Sequence, residues 1–590
     1  MKRIYQVFML IVLAAACFNC QKEISEAFMF STQLNNELSP IITTLQGNVL
    51  DETGRPAQNV VITVGANITT TNSNGYFRIT DATLDKNTTV VTAQVPGYFK
   101  AYRTFRATGG VNQVLIQLVK KTLTGTINAT TGGEIKLPNG AVVKLEANGV
   151  TSHAGAYSGD VNIFAAYIAP AAANIQSTIP GALMGDDKQN QRVVLESYGM
   201  LAVELESPSG EKLKIGNGSF ATLTTPIPAS LAAAAPTSIP LWYLDEITGV
   251  WKEEGSAEKK GNAYIGAVKH FSYWNCDIGL PAISFNASFE FASGATLNYQ
   301  SVLIRLADGN ANGYAYGYTD SLGQLSGLIP ANKNLVLEIA DQCGNIVYSK
   351  NIGPFNQNTD LGTLTISSSL TSLVTLKGKL VSCSNAPVTN GYVLISRNNM
   401  LSYVKTGASG EFVAEFLVCI SVPEQVEITG LDISAFQQGS PLMVPLSSNT
   451  INAGNIVACG TSSLEFINYT VDAIDYSFNN IAIDSIYSYS QIDANNFANS
   501  TMYAYRIGSS QHIQFDFNGI AQVGSHALKL QQVNAFDRIG LINPVNINIT
   551  SFAGSVGSFH EGSFTGTFKD STNLTLTHSV TCSFRVRRMY

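Results

Sequence analysis

Apolar and polar residues alternate over short runs that recur along most of the chain. The first run, at residues 45–50, alternates loosely, and a β-branched run follows at 60–64. Residues 52–54 (Glu-Thr-Gly) lie between them and favour a tight turn, because Gly tolerates positive φ. Alternation with a period of two, interrupted by such turns, is typical of antiparallel β-strands. The pattern therefore predicts an all-β protein.

One short element, Thr-x-x-x-Gly-x-apolar, occurs three times. Its copies are Thr71/Gly75/Phe77, Thr319/Gly323/Leu325 and Thr406/Gly410/Phe412. The Gly is expected to turn a hairpin at positive φ, and the apolar residue begins the strand that returns to the core. Three copies predict three related β-sandwiches, at residues 44–121, 281–371 and 372–463.

The first sandwich region matches a known pattern almost fully. The matching residues are Gly47, Asp51, Gly54, Pro56, Val60, Thr71, Gly75 and Phe77. This segment resembles the carboxypeptidase regulatory-like domain. The resemblance implies a small seven-stranded, immunoglobulin-like sandwich that serves as an accessory module and does not itself catalyse a reaction.

The region between the first and second copies consists of further strands separated by Gly and Pro. These strand blocks are GGEIKLPNGAVV, YSGDVNIFAAYIAP, ESYGMLAVELESPSGEKLKIGNGS and IPLWYLDEITGVWKEEG. Their order resembles a β-rich module of bacterial surface proteins and of vertebrate cartilage intermediate layer proteins, which are matrix components. Residues 464–590 alternate Gly and Phe densely, as in GSFHEGSFTGTFKD, which predicts a meander with one face on a core.

These boundaries predict tandem immunoglobulin-like or regulatory-like sandwiches followed by a β-rich C-terminal domain. The parts are a signal and anchor at 1–20, module 1 (44–121), module 2 (122–280), module 3 (281–371), module 4 (372–463) and the C-terminal module (464–590). We expect each module to have its own core and few contacts with its neighbours.

The N-terminus has the features of an export signal. Lys2 and Arg3 precede an apolar run at 7–16, which is too short to span a bilayer. Three alanines then precede Cys17, which resembles the lipobox of bacterial lipoproteins and implies that the Cys17 thiol carries the lipid. A plain secretory signal cut after Ala16 is an alternative.

Cys20 is a second candidate for lipid attachment. It precedes Gln-Lys-Glu, which resembles the start of many lipoproteins from the Bacteroidetes, although Asn19 is bulkier than the residue that lipobox processing prefers. Either cysteine predicts an outer-membrane lipoprotein of the cell envelope, facing the periplasm or the cell surface. The membrane is then a partner through the lipid anchor.

The net charge and the low content of charged residues limit the classes of partner that we expect. The 590 residues include 35 Lys and Arg against 42 Asp and Glu, a net charge of −7, and charged residues make up 13% of the chain. No basic block is long enough to follow a phosphate backbone, so nucleic acid is excluded as an expected partner.

The chain carries no recognisable catalytic motif. Its six histidines are far apart, and no Gly-x-Ser-x-Gly elbow or Walker loop is found. Adjacent carboxylates such as Asp186-Asp187 are expected to be solvated loop residues. We predict that the protein is not an enzyme and has no cofactor. The alternative is a hydrolase or glycan-processing accessory enzyme with an unrecognised site in 122–280 or 464–590.

Six cysteines follow the signal region, and three of them, Cys383, Cys419 and Cys459, fall in module 4. In an oxidising compartment they are expected to pair, although the sequence leaves the connectivity open. None forms a CxxC motif, so zinc is not expected.

A calcium loop is a further weak candidate. Asp308, Asn310 and Asn312 have the D-x-N-x-N-G spacing in which side-chain oxygens face one point. The twelfth position is Thr319 and not Glu, so the loop would be incomplete. The alternative is an ordinary hairpin turn.

Trp242, Trp251 and Trp274 all lie in module 2. Exposed together, they would form a stacking platform for a sugar; otherwise they belong to the core of the sheet that carries them. The leading hypothesis is a non-enzymatic, lipid-anchored envelope protein that binds a glycan, a surface or a partner protein, as in adhesion.

Overall fold

The computed structural model describes residues 38–308, 314–341, 344–367, 372–397, 400–419, 424–435, 437–460, 465–479, 484–506, 511–533, 539–541, 545–570 and 573–588. These residues form strands almost throughout, with one helical turn among them, α1 (Ile175–Thr178). The predicted all-β class with several β domains is confirmed.

Module 1 is a seven-stranded sandwich. Its strands are β1 (Pro40–Leu50), β2 (Val61–Val64), β3 (Asn67–Thr70), β4 (Tyr76–Asp85), β5 (Thr89–Gln94), β6 (Ala101–Phe105) and β7 (Asn112–Gln117). They form one sheet in the order β4-β1-β7 and a second in the order β3-β2-β5-β6, with β1 and β7 parallel. Alternate residues such as Leu45, Ile62 and Phe77 fill the space between the sheets.

Module 2 is built on one large, mostly antiparallel sheet. Its strands are β8 (Leu123–Asn128), β9 (Gly133–Lys136), β10 (Val142–Leu145), β11 (Val150–Ser152), β12 (Gly155–Ala156), β13 (Asp160–Ile168), β14 (Met184–Asp186), β15 (Arg192–Glu206), β16 (Lys212–Ile215), β17 (Ala221–Pro226), β18 (Ser238–Leu244), β19 (Trp251–Lys260), β20 (Ala263–Val268) and the first part of β21 (Tyr273–Phe291). The main path runs β12-β11-β16-β15-β21-β18-β19-β20-β17-β10-β9.

Module 3 repeats the topology of module 1. After β21 come β22 (Ser301–Leu306), β23 (Tyr314–Tyr318), β24 (Gln324–Pro330), β25 (Leu335–Ala340), β26 (Ile346–Ile352) and β27 (Thr359–Ile366). The strands β24-β21-β27 correspond to β4-β1-β7, including the parallel pair, and β23-β22-β25-β26 correspond to the four-stranded sheet.

Module 4 has the same plan. Its strands are β28 (Leu373–Ser382), β29 (Gly391–Arg397), β30 (Met400–Lys405), β31 (Glu411–Leu417), β32 (Gln425–Asp432), β33 (Gln437–Gln438), β34 (Leu442–Pro445) and β35 (Thr450–Ala458). The three-stranded sheet is β31-β28-β35, and β30-β29-β32-β33 faces it, with β34 also on β32. A disulfide joins Cys383 to Cys459, at the ends of the parallel strands β28 and β35.

The repeated sequence element has the same role in all three sandwiches. Gly75, Gly323 and Gly410 have φ of 67°, 72° and 78°, which confirms the predicted positive φ. Each accepts a hydrogen bond at its carbonyl oxygen from the central strand of the three-stranded sheet. A Cβ on any of them would lie within 2.4–2.6 Å of a carbonyl oxygen of that same strand, so the close approach requires glycine.

The C-terminal module forms one curved antiparallel sheet. Its strands are β36 (Phe466–Val471), β37 (Ile474–Phe478), β38 (Asp484–Ile492), β39 (Phe497–Arg506), β40 (His512–Ile520), β41 (Gly524–Val533), β42 (Ile539–Leu541), β43 (Asn546–Ser551), β44 (Phe559–Asp570) and β45 (Thr577–Arg587). The order is β37-β36-β45-β44-β43-β41-β40-β39-β38, and β42 pairs with β44. A bridge between Ser488 and Arg588 brings β38 back beside the end of β45.

Modules 1 and 2 share a core, which differs from the expected few contacts. Phe99 and Tyr102 of module 1 pack in one cluster with Trp242 and Trp251 of module 2. The Thr104 hydroxyl also donates to the carbonyl oxygen of Gly249 across the interface, at 2.7 Å. The expectation of loosely joined modules is therefore wrong for this pair.

Modules 1 and 3 are joined through the hairpin of the second repeat. The Gly110 N–H donates to Asp320 Oδ2 at 2.8 Å, and the Val111 N–H donates to Ser321 Oγ at 2.9 Å. The Ser321 N–H in turn donates to the Val111 carbonyl oxygen. Modules 2 and 3 have no linker, because β21 crosses the predicted boundary at 280/281 as one 19-residue strand.

Of the residues described, none lies in a helix long and apolar enough to cross a membrane.

Candidate binding cleft

Several predicted site residues lie outside the described part of the chain. Cys17 and Cys20 precede it, and Asn310 and Asn312 fall in the gap at 309–313. Asp308 is described and follows strand β22 by two residues. The lipid anchor and the calcium loop therefore stay predictions.

The three tryptophans are core residues and do not form an exposed platform. Trp242, Trp251 and Trp274 are 1%, 0% and 2% exposed. Trp242 and Trp251 pack between modules 1 and 2, whereas Trp274 lies in the inner core of module 2. No ring face is open to a sugar, because neighbouring side chains already cover it. Of the two alternatives, the structure has the core arrangement.

The adjacent carboxylates Asp186 and Asp187 have different surroundings. Asp186 is buried on β14 and pairs with Arg192 and Lys252 at 2.5 Å each, so the expected solvated loop is wrong for this residue. Asp187 accepts hydrogen bonds from the backbone N–H groups of its own turn. Both carboxylates thus hold local structure.

A buried serine–histidine pair, not found from the sequence, lies in the C-terminal module. Ser490 Oγ is 2.9 Å from His560 Nε2 and donates to Ser500 Oγ at 2.7 Å. The Ala553 N–H donates to His560 Nδ1, so in the neutral ring Nε2 carries the proton. His560 therefore donates to Ser490 and does not act as its base. Burial lowers the pKa of His560 to about 4.

Two buried carboxylic acids lie on the paired strands β15 and β21 of module 2. Glu196 on β15 accepts a hydrogen bond from the Tyr198 hydroxyl at 3.2 Å, and Asp277 on β21 accepts one from the Asn275 amide. Burial raises the pKa of both carboxyls. The sequence contains a signal for Glu196, since this acid directly follows the apolar run at 193–195 within one strand.

Within the described ranges, no group of three or more His, Cys, Asp or Glu side chains is arranged to hold a metal ion.

A concave site with polar groups in its walls lies where four modules meet. Its volume is about 1030 Å³. Asn48 and Asn74 line it from module 1, Gln176 from module 2, Gln300 from module 3 and Ser402 from module 4. These amide and hydroxyl groups supply both hydrogen-bond donors and acceptors.

The three charged residues in the cleft wall have partners within the protein. Glu338 forms a two-contact pair with Arg305, at 3.0 and 2.7 Å. Arg397 forms a similar pair with Glu424, at 2.7 and 3.0 Å. Asp341 accepts hydrogen bonds from the backbone and the side chain of a residue four positions later. Two of these three side chains thus pair with an opposite charge, whereas the Asp341 carboxylate receives hydrogen bonds from neutral N–H groups.

Aromatic side chains form the apolar part of the wall. Tyr299, Tyr318 and Phe416 all line the cleft. Tyr299 has φ of 55°, a left-handed conformation that is unusual for a bulky residue. Burial raises the pKa of Tyr299, and Arg78 of module 1 is near enough to act on it in the opposite direction. Tyr299 therefore sits at the junction itself.

A smaller cavity of about 100 Å³ adjoins the cleft, and Gln113, Leu115 and Tyr318 line both spaces. Gln113 is 7% exposed, and its Oε1 has no hydrogen-bond partner among the described residues. Sequence reasoning missed this site because its residues come from four separate modules and share no local motif.

No family model matches the chain. Part of it is similar to the human cartilage intermediate layer protein 2, with 28% identity over 138 residues, which are 22% of this chain and 11% of that protein. The chain thus spans about a tenth of the length of this curated relative.

Among solved structures, the chain has a low likeness to three bacterial proteins. The shaft pilin SpaA of Lactobacillus rhamnosus GG is 10% identical, with a TM-score of 0.16, and the match covers 31% of this chain and 98% of that one. BcpA, the major pilin subunit of Bacillus cereus, is 9% identical (TM-score 0.12; 72% and 100% covered). The Bacillus anthracis TIE protein is 8% identical (TM-score 0.14; 78% and 68% covered). Likenesses at these TM-scores support no conclusion about function.

Proposed function

We propose that the protein is a non-enzymatic, lipid-anchored component of the cell envelope that binds a glycan, a surface or a partner protein through its β-sandwich modules. The observation that carries this proposal is the cleft between modules 1, 2, 3 and 4. Concave sites with convergent polar groups are preferred at domain interfaces, and this one exists only in the assembled chain.

The anchor is part of the proposal and rests on the sequence. Cys17 is the favoured attachment residue, and Cys20 is the alternative. We expect Cys17→Ala to abolish acylation and release the protein from the membrane fraction, whereas Cys20→Ala keeps it there. The reverse result would assign the anchor to Cys20, and retention of the lipid in both single variants would contradict a single attachment site.

The hydrogen bonding and burial of the side chains that most resemble catalytic groups support a binding role without catalysis. The Ser490 hydroxyl oxygen accepts a hydrogen bond from His560 and does not donate one to it. The acids Glu196 and Asp277 are enclosed in a core, where burial favours their neutral forms.

The test uses the full chain. It is incubated with a panel of polysaccharides and peptides, and binding and product release are both measured. We expect saturable binding to at least one class and no turnover of any. Release of oligosaccharides or peptides that Ser490→Ala or Glu196→Gln abolishes would support the hydrolase and overturn the binding role.

A further inference from the structure

We infer that the curved sheet of the C-terminal module closes at a pH-sensitive seam, where strand β38 separates from the end of β45 when His560 is protonated. The inference concerns a conformational change and does not depend on the proposed binding role. Three observations support it: the small number of backbone contacts at the seam, the side chains that replace them, and the surroundings of His560.

The seam, which is the contact between β38 and the end of β45, contains few backbone contacts. On its other edge, β38 pairs with β39 over its whole length, from Asp484 to Ile492. At the seam, in the described part of the chain, a single β-bridge joins Ser488 to Arg588. The second edge of β38 therefore depends on side chains to stay closed.

Side chains supply contacts that the backbones do not. The Ser488 hydroxyl donates to the Arg587 carbonyl oxygen at 3.0 Å. The Arg588 guanidinium donates through Nη2 to the Ser490 carbonyl oxygen at 2.8 Å, and through Nη1 to the Ala553 carbonyl oxygen at 3.2 Å. Arg588 thus holds β38 and also the loop that precedes β44.

His560 connects the same two elements from inside the module, where it is 0% exposed. Its Nε2 donates to Ser490 Oγ of β38 at 2.9 Å, and its Nδ1 accepts from the Ala553 N–H of the loop at 3.3 Å. The contact with Ala553 requires a neutral ring, because in a protonated imidazole both nitrogens carry hydrogen and neither accepts. Protonation would therefore place two N–H groups against each other.

The charged groups near His560 act in the same direction. Arg588 of β45 and His526 of β41 both disfavour a positive charge on the ring. The Glu561 carboxylate, next in the chain, pairs with Arg585. The side chains that face the ring from the other packed elements are uncharged, namely Ser490, Ser500, Phe517 and Phe552. A charged His560 would thus lie beside a second cation at the seam.

The pKa of His560 gives the direction of the pH effect. Burial, followed by the influence of Arg588 and His526, lowers this pKa to about 4 from the ordinary 6.5. In the open seam the ring reaches water and regains the higher pKa, so between these values the open form binds a proton that the closed form does not. Relative to pH 7, the open population should rise about twentyfold at pH 5 and about a hundredfold at pH 4.

The other end of β38 has a separate clamp. Arg506 pairs with Asp484 at 2.7 and 3.0 Å and donates to the Ser477 carbonyl oxygen of β37 at 2.7 Å. The hydrogen bonds of His560 do not include this clamp, so its protonation should open only residues 487–492. Opening there exposes the N–H and C=O groups of a strand edge, which another strand can pair with.

The experiment is hydrogen exchange of the full chain at pH 7, 6 and 5, expressed as protection factors so that the pH dependence of intrinsic exchange is removed. We expect protection over 487–492 and 585–588 to fall about twentyfold between pH 7 and 5, whereas 513–517 in strand β40 stays protected. His560→Gln keeps a donor for Ser490 and an acceptor for Ala553, and should remove the fall.

Two further variants complete the test. His578→Gln is the matched control, because His578 lies at the opposite end of β45 and pairs with Asp472. It should keep the pH dependence of the parent at the seam. Arg588→Gln removes the neighbouring cation and weakens the clamp, so it should lower protection at 487–492 already at pH 7 and reduce the change with pH. This variant keeps the inference testable where His560→Gln does not fold.

Three results would overturn the inference. The first is equal protection of the parent over 487–492 at pH 7 and 5, and the second is a fall that His560→Gln leaves unchanged. The third is a simultaneous loss of protection at 513–517, because the whole module would then unfold in acid and the seam would not open by itself. None of these results affects the proposed binding role.

Discussion

Modules 1, 2 and 3 contribute side chains to one another's interfaces, whereas the C-terminal module closes its core with its own residues. Phe99 of module 1 and Trp251 of module 2 belong to one cluster. In contrast, the main core of the C-terminal module, from Ile467 to Val586, contains only its own side chains. Sequence repeats thus identify sandwiches, but they do not tell whether neighbouring sandwiches act as one cooperative unit.

The difference between modules 1 and 3 at one turn position explains how such coupling arises. In module 1, Asn72 Oδ1 accepts hydrogen bonds from two backbone N–H groups of its own hairpin. Asp320 holds the corresponding position in module 3 and does the same with Oδ1, at 2.8 Å. Its second oxygen is then available for Gly110 of module 1. The side chain of Asn72 therefore caps only its own hairpin, whereas the carboxylate of Asp320 caps its hairpin and also binds module 1.

The largest expected effect comes from a cavity in the C-terminal core, which tests whether this module unfolds independently of modules 1 to 3. Phe515 is fully buried and packs edge-on against Phe564 and Phe584. We expect Phe515→Ala to destabilise the C-terminal module by about 3–5 kcal/mol. Hydrogen exchange of the full chain should increase over 465–588 and stay unchanged over 38–367. An equal increase in modules 1 to 3 would contradict the independence of the C-terminal module.

The repeated glycines provide a paired test of coupling within the N-terminal part. Valine at Gly323 or Gly410 would place a Cβ 2.4 or 2.6 Å from a carbonyl oxygen and force a β-branched residue to positive φ. Each change should cost roughly 3 kcal/mol. Because the Gly323 turn also holds Gly110 and Val111, Gly323→Val should increase exchange in module 1 as well, whereas Gly410→Val should act within module 4. Identical, purely local effects would show that the interface between modules 1 and 3 is weak.

Acid should act on the C-terminal module through His560. Its folded pKa of about 4 lies below the unfolded value of 6.5, so the unfolded chain binds a proton that the folded one does not between these values. The stability of this module should therefore fall as the pH drops from 6.5 to 4, by at most about 2–3 kcal/mol. His560→Gln keeps a donor for Ser490 and should remove this slope. Urea unfolding at pH 7, 5.5 and 4 measures it, and an unchanged slope in the variant would assign it to other groups.

The smallest expected effect comes from Asp320→Asn. Its Oδ1 can still cap the hairpin, but an NH₂ group replaces the oxygen that accepts from Gly110. We expect a loss of about 1–2 kcal/mol, since one buried N–H loses its acceptor while the cost of burying a charge is removed. The readout is exchange at 108–112 compared with 322–326. Protection lost first at 322–326 would mean that the hairpin itself had failed.

The sequence predicted what local physics determines. Positive-φ glycines such as Gly75 and Gly410 were recognised because only a residue without Cβ fits the turn. The all-β class followed from period-two alternation. The interfaces between modules were not predicted. Tyr102 is buried against module 2, but its position in the sequence pattern is the same as that of a strand residue buried within its own module.

The cleft was missed for a related reason. Its wall includes ion pairs such as Arg397–Glu424, whose partners are 27 residues apart, and the positive φ of Tyr299 has no sequence signature. Of the two alternatives for the tryptophans, the core is found, but the position of Trp242 and Trp251 between two modules cannot be read from sequence spacing.

Strand β21 also determines how a pulling force would pass through the molecule. At about 3.3 Å per residue its 19 residues extend roughly 60 Å, and they pair with β15 and β18 in module 2 and with β24 and β27 in module 3. Tension between the two modules would be carried along one backbone and would load the hydrogen bonds of both sheets in shear, so that many must break together. We therefore expect this junction to resist extension, whereas an ordinary flexible linker would be stretched out first.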